Sequence, residues 1–214
     1  MESLEAELAR ARDLDTDELA DAIEQIGFEC TRCGACCTRE ENDPHTATVF
    51  PDEVRELQSE TNDWNDVARP MPYGIEEGEG QTFEWALQTD GCGDCVFYEE
   101  SEGVGACSVH PDRPLICQTY PFSVALSGTS QPMGEAVDEQ GLVRAHECEG
   151  LGRDISRDDA EGLAQALKER AVRELEEAIG VRENYRPVEE RTVVYDSEGP
   201  KRVDGSGIGK EDRE

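Results

Sequence analysis

Cysteine is the residue type with the clearest chemistry in this chain. Four cysteines fall within eight residues, at Cys30, Cys33, Cys36 and Cys37. Two residues between successive thiolates let one turn of backbone wrap a single ion, and three thiolates at this spacing also open iron–sulfur motifs. A disulfide framework is the alternative, but the total of nine cysteines is odd and a chain of 214 residues does not need disulfide staples. The pattern therefore predicts a metal or iron–sulfur centre.

The adjacent pair Cys36 and Cys37 constrains how such a centre is built. Neighbouring side chains diverge by about 180° in a strand and by about 100° on a helix. Two adjacent thiolates therefore rarely serve the same ion. They either bridge two metals or face different sites.

A second group of five cysteines follows, at Cys92, Cys95, Cys107, Cys117 and Cys148. The first two form another C-x2-C pair, and the third follows a glycine turn. Pro111 and Pro114 stiffen the path towards Cys117, which lowers the entropy lost when the sulfurs are brought together. We expect this group to complete the centre that the N-terminal run begins.

The combined motifs resemble the YkgJ-type cysteine-cluster family, which is described as a zinc- or iron-chelating domain with a CxxCxxCC signature. The motifs that carry the resemblance are Cys30-x2-Cys33-Gly-x-Cys36-Cys37, Cys95-Val-Phe-Tyr, Gly105-x-Cys107, Arg113-Pro114-x2-Cys117-x2-Tyr-Pro-Phe122 and Cys148-x-Gly150. The resemblance spans residues 28–152 and implies eight ligands: Cys30, Cys33, Cys36, Cys37, Cys95, Cys107, Cys117 and Cys148.

Cys92 and the three histidines fall outside that ligand set. We interpret Cys92 as a spare thiol or a local substitute, and we expect its replacement by alanine to be tolerated. We interpret His45, His110 and His146 as ordinary histidines, although the His146-x-Cys148 pair leaves a mixed ligand set open.

Thiolate ligands suit zinc and iron–sulfur clusters alike. The C-x2-C-x2-C run, nearby glycines and flanking aromatic residues favour iron–sulfur slightly, whereas the paired C-x2-C units favour zinc. Three functions follow: a metal or cluster protein with a redox or cluster-supported role, a structural zinc-binding interaction module, and a cluster-dependent protein lysine methylase. The third rests on a likeness to flagellin lysine N-methylases, which carry a related cysteine cluster. The sequence assigns no reaction, and a protein partner stays unidentified.

The charge of the chain is extreme, with 51 Asp and Glu against 20 Lys and Arg and a net charge of −31. The acids are spread along the whole chain and only three basic residues are lysine, which is typical of the solvated acidic coat of halophilic proteins. We expect molar salt to stabilise the fold by screening self-repulsion. We expect no nucleic-acid binding, because no basic footprint is present. The lack of a long apolar run predicts no membrane association, and the acidic N-terminus argues against a secretory signal. Thiols that are kept reduced for metal binding predict a cytoplasmic location.

We predict an α+β fold. A small, irregular, cysteine-rich core with short β-strands would be flanked by an N-terminal helical segment and a long C-terminal amphipathic helix. The corresponding divisions are 1–27 for the helical segment, 28–181 for the cysteine-cluster domain with its C-terminal helix, and 182–214 for a tail.

The local patterns predict individual elements within this frame. Thr16 is the expected N-cap and Gly27 the expected stop of the N-terminal helical segment. The long helix should be capped by Ser156 and Asp159, and should end at Gly180. Its apolar stripe is Leu163, Leu167, Val172, Leu175 and Ile179.

The remaining predictions concern strands and loops. They are a strand at 46–50, a helix from Pro51 to about Ser59, a loop at 61–80, a strand holding Phe83 and Trp85 in the core, strands at 123–126 and 142–144, a hairpin of 192–196 with 201–203, and disorder from Gly205 to Glu214.

Overall fold

The protein is described here by a computed structural model that covers residues 3–39, 44–58, 62–126, 136–138 and 141–209. Helices and several small sheets coexist, so the predicted α+β class is confirmed.

The helices are α1 (Leu4–Arg12), α2 (Thr16–Ile26), α3 (Pro51–Leu57), α4 (Trp64–Val67), α5 (Leu115–Thr119) and α6 (Arg157–Asn184), with a 3₁₀ turn at His110–Asp112. The strands are β1 (Thr48–Val49), β2 (Ala68–Pro70), β3 (Ile75–Glu76), β4 (Glu79–Thr82), β5 (Trp85–Leu87), β6 (Tyr98–Ser101), β7 (Val104–Cys107), β8 (Phe122–Val124), β9 (Ala136–Asp138), β10 (Val143–His146), β11 (Thr192–Asp196) and β12 (Gly199–Lys201).

The chain divides into two compact units, each assembled from three stretches of sequence. Unit 1 contains Met1–Cys36, Glu99–Ala106 and Leu115–Leu175, and unit 2 contains Cys37–Tyr98, Cys107–Pro114 and Glu176–Glu214.

The N-terminal helical segment of unit 1 is two helices, α1 and α2. The side chain of Asp15 accepts hydrogen bonds from the backbone N–H of Asp17 (2.8 Å) and Glu18 (3.3 Å), so Asp15 is the N-cap of α2. The predicted cap, Thr16, is instead the first helical residue. Gly27 ends α2 with a φ of +77°, as predicted.

Helix α6 begins as the sequence predicts. The Ser156 hydroxyl accepts the Asp159 backbone N–H at 3.1 Å and donates to the Asp159 carboxylate at 2.6 Å. The residues of the predicted apolar stripe are buried or half-buried; Leu167 and Leu175 are buried, and Leu163, Val172 and Ile179 are half-buried. This face packs into unit 1 as far as Leu175.

The predicted end of α6 at Gly180 is wrong, because the helix continues to Asn184. Gly180 serves a different purpose in unit 2. A Cβ atom at Gly180 would lie 2.6 Å from the Cβ of Ser197, so a glycine is required for the helix to approach the turn after β11. The Asn184 side chain donates to the carbonyl of Ser197 at 2.7 Å and completes that approach.

Arg157, the first residue of α6, links this helix to α2 in unit 1 by ion pairs. Its guanidinium bonds to the carboxylates of Glu24 (2.8 Å), Glu161 (2.7 Å) and Asp21. The hydrogen bonds that Arg157 donates to these three carboxylates, and the bond to Glu24 most of all, raise the pKa of Arg157 above its ordinary value. The network steadies the helix that leads directly into the first cysteine loop.

The predicted strand pair at 123–126 and 142–144 is confirmed in unit 1. Strands β8 and β10 pair antiparallel, with Val143 opposite Val124 and Arg144 opposite Ser123, and β9 joins the other edge of β10. This sheet carries the segment that enters Cys148.

Unit 2 contains a three-stranded sheet of order β1-β5-β2 and a four-stranded sheet of order β12-β11-β4-β3. Trp85 is core, as predicted, with 1% of its surface exposed and its indole N–H donated to Asp196 Oδ2 at 2.9 Å. Phe83 is 49% exposed, so its predicted burial is wrong. It lies between β4 and β5 and stacks one face on Tyr195, at 5.5 Å between ring centroids.

The predicted helix after Pro51 is confirmed and ends at Leu57, and Ser59 lies outside the described residues. The predicted loop at 61–80 is wrong over its described part, which contains α4, β2, β3 and the first half of β4. The prolines and glycines of this segment are typical of a loop. However, β2 forms by antiparallel pairing with β5, and β4 forms by parallel pairing with β11. Those pairings are non-local and leave no local signal.

The C-terminal hairpin is confirmed, although β12 is Gly199–Lys201 and not 201–203. Lys201 is buried and bonds to Asp196 (3.0 Å) and Glu198 (2.5 Å). The disorder predicted from Gly205 is wrong for residues 205–209, because Ile208 is buried and donates its N–H to the Pro200 carbonyl at 2.9 Å. Residues 210–214 lie outside the described residues.

Candidate metal centre

The first cysteine loop of unit 1 is anchored where α2 ends. Gly152 donates its N–H to the Gly27 carbonyl, and Glu29 donates to the Gly150 carbonyl, each at 3.0 Å. A Cβ at Gly150 would lie 2.3 Å from the Glu29 carbonyl oxygen, so only glycine permits this contact. The two main-chain bonds therefore bring the segment that carries Cys30 beside the segment that carries Cys148.

Between Cys30 and Cys36 the chain turns through two residues in the left-handed region, Arg32 (φ +58°) and Gly34 (φ +81°). The Arg32 carbonyl accepts the N–H of Gly105 at 2.8 Å, which ties the turn to the β6–β7 hairpin. The thiols of Cys30, Cys33 and Cys36 are all exposed. The loop therefore has three exposed cysteines on a backbone that is bonded to other segments of unit 1 at Glu29 and Arg32.

Cys148 is half-buried and lies within electrostatic reach of that loop. Burial raises its pKa, the N–H of Gly150 opposes the rise, and the charges of Cys33, Cys36 and Cys30 add to it. The Gly150 N–H points at the Cys148 sulfur, 3.4 Å away. Hydrogen bonds from backbone amides to sulfur are typical of thiolate metal centres, and a bound cation would replace the mutual repulsion of these thiolates by attraction. The donor set of unit 1 thus fits a thiophilic metal.

Cys117 lies in the short helix α5 and is held close to the Cys148 segment by the residues that follow it. The Tyr120–Pro121 peptide bond is cis, and the Pro121 carbonyl accepts the N–H of His146 at 2.9 Å. The Tyr120 hydroxyl donates to the carbonyl of Glu147. Cys117 and Cys148 therefore stand on segments that are bonded to each other within unit 1.

Arg170 supports this arrangement and was missed by the sequence analysis. It is 1% exposed on α6, and its guanidinium donates to Thr119 Oγ1 (3.0 Å), to the Phe122 carbonyl (3.3 Å) and to the Glu174 carboxylate (2.7 Å). The signal was present in the sequence: Arg170 falls on the apolar stripe of α6, three residues after Leu167. A buried arginine on such a stripe must satisfy its charge with buried partners.

Unit 2 begins at Cys37, immediately after the last residue of the first stretch of unit 1. The Cys37 carbonyl accepts the N–H of Cys95 at 2.9 Å. Two residues on, Arg39 donates its N–H to the Asp94 carboxylate at 2.8 Å. The chain from Cys37 therefore runs along the turn that ends in Cys95, which is itself buried.

The other cysteines of unit 2 are Cys92 and Cys107. Cys92 is exposed in the turn before Cys95, and Cys107 is half-buried at the end of β7. Ser108 donates its N–H to the Phe97 carbonyl at 2.9 Å, which places the Cys107 segment beside the chain that leaves Cys95.

The eight predicted ligands are thus distributed over the two units as five and three, and their role as ligands stays a prediction. The five of unit 1 are Cys30, Cys33, Cys36, Cys117 and Cys148; the three of unit 2 are Cys37, Cys95 and Cys107. Within the part of the chain that the structure describes, no three side chains of His, Cys, Asp or Glu already converge at metal-binding distances.

Of the histidines, His146 has a defined contact. It is buried on β10, and its Nε2 lies 2.8 Å from Ser123 Oγ. His110 is exposed on the 3₁₀ turn, and the ring of His45 is buried in unit 2. The interpretation of all three as ordinary histidines stays a prediction.

Among the described residues, no helix has both the length and the apolar character that crossing a membrane requires.

Comparison with known proteins identifies the family. No curated protein and no solved structure matches the chain. The family model CxxCxxCC, described as a "putative zinc- or iron-chelating domain", matches residues 29–149, which is more than half of the chain and includes all nine cysteines. The chain belongs to the CxxCxxCC family of zinc- or iron-chelating domains.

Proposed function

We propose that this protein binds metal, and that its ligands are the thiolates of Cys30, Cys33, Cys36, Cys37, Cys95, Cys107, Cys117 and Cys148. The main support for this proposal is the environment of Cys148. A backbone N–H is directed at its sulfur, and three further cysteines lie near enough for their charges to act on it. Four thiolates are the donor set of a structural zinc ion or of a cubane iron–sulfur cluster.

Between the two metals in the family description, we propose an iron–sulfur centre with a redox or cluster-supported role. The N–H···S bond at Cys148 supports this choice, because hydrogen bonds to the sulfurs are among the factors that set cluster potential. The aromatic contact of Phe28 with Phe122, at 5.7 Å between ring centroids, supports it further. It places an apolar contact two residues before Cys30, where it would help to exclude water from the centre.

A structural zinc module is the second candidate, and a specific observation favours it. The ligand-bearing segments are bonded to each other across long stretches of sequence, as at Glu29 with Gly150 and at Cys37 with Cys95. An ion that joins such segments contributes to folding directly, as structural zinc does.

The test is to purify the full chain without oxygen, measure zinc, iron and acid-labile sulfide, and record the absorption spectrum. Matched iron and sulfide with a brown colour are expected. Colourless protein with stoichiometric zinc would replace the iron–sulfur proposal by the zinc module. Protein that carries no metal and takes up neither zinc nor iron would overturn both.

A redox role requires that the iron–sulfur centre can be reduced and re-oxidised. Anaerobic reduction followed by re-oxidation should change the absorption spectrum reversibly, with iron and sulfide content retained. A cluster that cannot be cycled in this way would leave the protein metal-binding without a redox role.

A further inference from the structure

Cys92 is the one cysteine that the family pattern does not use, and its position in unit 2 gives it a role. Unit 2 contains three of the eight family cysteines, Cys37, Cys95 and Cys107. A closed tetrahedral thiolate site requires four ligands. Cys92 is the fourth cysteine of this unit.

The turn that carries Cys92 is built by the side chain of Asp90. Its Oδ1 accepts the backbone N–H of Cys92 at 2.8 Å and of Asp94 at 3.1 Å. The Asp90 main chain donates to the Asp94 carbonyl at 2.8 Å and accepts the Gly93 N–H at 3.1 Å. These four bonds fix the backbone from Asp90 to Asp94, so that Cys92 lies in a defined turn and Cys95 directly follows it.

Gly93 allows this turn to sit against the chain that follows Cys37. Its φ is +93°, which a residue with a side chain rarely adopts. A Cβ there would be 3.4 Å from the Cα of Pro44 and 3.5 Å from the side chain of Arg39. The Gly93 carbonyl also accepts the N–H of His45 at 2.9 Å. The turn is therefore packed and bonded on the side from which Cys37 approaches.

Main-chain hydrogen bonds join the segments of Cys37 and Cys107 to this turn or to the chain that leaves it. Cys37 accepts the N–H of Cys95, and the residue after Cys107 donates to Phe97, two residues beyond Cys95. Cys92 thus lies in the turn, Cys95 directly follows it, and the segments of Cys37 and Cys107 are each bonded to that turn or to the chain leaving it.

We propose that Cys92 is a metal ligand, and that with Cys37, Cys95 and Cys107 it forms a four-thiolate site in unit 2 for a divalent ion of the zinc class. The proposal rests on the proposed function, namely that the family cysteines bind metal. Each thiol that ligates the ion gives up its proton to the solvent. Unit 1 keeps the five family cysteines Cys30, Cys33, Cys36, Cys117 and Cys148 for a second site.

The experiment titrates reduced, metal-free full-length protein with Co²⁺ in the absence of oxygen and follows the thiolate-to-cobalt charge-transfer absorption. The variants are Cys92→Ser and Cys92→His. Gly91→Ala is the matched control, because Gly91 is the exposed neighbour in the same turn and a Cβ there meets nothing within 4 Å. The wild type should bind two equivalents, and Gly91→Ala should match it.

Cys92→Ser should lose one equivalent of Co²⁺ or bind it more than roughly 100-fold more weakly. Loss of a residue that only hydrogen-bonds to a ligand costs less than this. Cys92→His should restore the second equivalent with weaker charge-transfer absorption, because imidazole also ligates divalent zinc and cobalt ions. If Cys92→Ser binds two equivalents with wild-type affinity, the proposal is overturned while the proposed function stands. If the wild type binds no Co²⁺ at all, thiolate metal binding itself fails.

Alkylation of the wild type keeps the proposal falsifiable should a variant fail to fold. Cys92 is exposed, so a mass-mapped iodoacetamide reaction should modify it readily in metal-free protein. Saturation with Zn²⁺ should protect it together with Cys37, Cys95 and Cys107. Zn²⁺ that protects those three cysteines and leaves Cys92 reactive would exclude Cys92 as a ligand.

Discussion

Two C-x2-C pairs with identical spacing, Cys30–Cys33 and Cys92–Cys95, are positioned in different ways. The first depends on partners that are remote in sequence: Glu29 bonds to Gly150, and Arg32 bonds to Gly105. The second is organised by its own turn, in which the Asp90 carboxylate accepts two backbone N–H groups within four residues. Equal spacing therefore does not imply equal support. The first pair is positioned by segments that are remote in sequence. The turn of the second pair is built by local bonds, to which Cys37 adds a remote bond at Cys95.

The largest expected effect is that of Cys33→Ala in the remotely supported loop. The variant should lose the metal of unit 1 and more than about 4 kcal/mol of unfolding free energy, since loss of a metal is among the few changes that reach this size. For a chain of this length the melting temperature should fall by roughly 10 °C. Elemental analysis and calorimetry measure both quantities.

Ala35→Ser is the control for this prediction, because Ala35 is exposed in the same loop and carries no thiol. It should leave metal content and melting temperature unchanged. Full metal content and unaltered unfolding in Cys33→Ala would refute its assignment as a ligand.

Gly150→Ala tests the remote support without touching a thiol. The added Cβ would lie 2.3 Å from the Glu29 carbonyl oxygen, and Gly150 has no left-handed φ that would add strain. We expect a loss of about 1–3 kcal/mol, the usual cost of overpacking, together with weaker metal binding in unit 1. Unchanged Co²⁺ affinity would show that the Glu29–Gly150 contact does not position Cys30 and Cys148.

Gly162→Ala is the matched comparison in the same unit. Gly162 lies inside α6, and a Cβ there would meet nothing within 4 Å. Since alanine is favoured over glycine in a helix by about 1 kcal/mol, this variant should be stabilised and Gly150→Ala destabilised. The opposite signs of the two changes separate a specific clash from a general effect of replacing glycine.

Several elements that the sequence predicted correctly have a local cause. The Ser156 cap, the apolar stripe of α6 and the stop at Gly27 each depend on contacts within a few residues. The α+β class followed from such elements. The cap of α2 was placed one residue too late, because Asp15 and Thr16 are both good capping residues and only the geometry separates them.

The errors share a non-local cause. Residues 68–70 and 79–82 are strands only because β5 and β11 pair with them, and Gly180 is inside a helix because Ser197 packs against it. Ile208 orders the predicted tail by packing with Val193 and Tyr195. For the candidate site, the sequence supplied the cysteines, but their distribution over two units and the support from Arg170 depend on the folded chain.

The smallest expected effect is that of Asp90→Ala in the locally supported turn. The variant removes the acceptor for the N–H groups of Cys92 and Asp94, which are exposed enough to bond to water instead. We therefore expect a loss of only about 1 kcal/mol, in the range of ordinary hydrogen bonds. Hydrogen exchange at these two amides should accelerate, and Co²⁺ should bind unit 2 more weakly.

Asp90→Asn is the control, since its side-chain oxygen still accepts both N–H groups, and it should retain most of the amide protection. The two variants can also be compared with each other. Asp90→Ala should weaken the binding of one Co²⁺ equivalent, and Gly150→Ala should weaken the binding of the other. If both variants weaken the binding of the same equivalent, the two C-x2-C pairs do not belong to separate metal sites. The difference between local and remote contacts would then not affect metal binding.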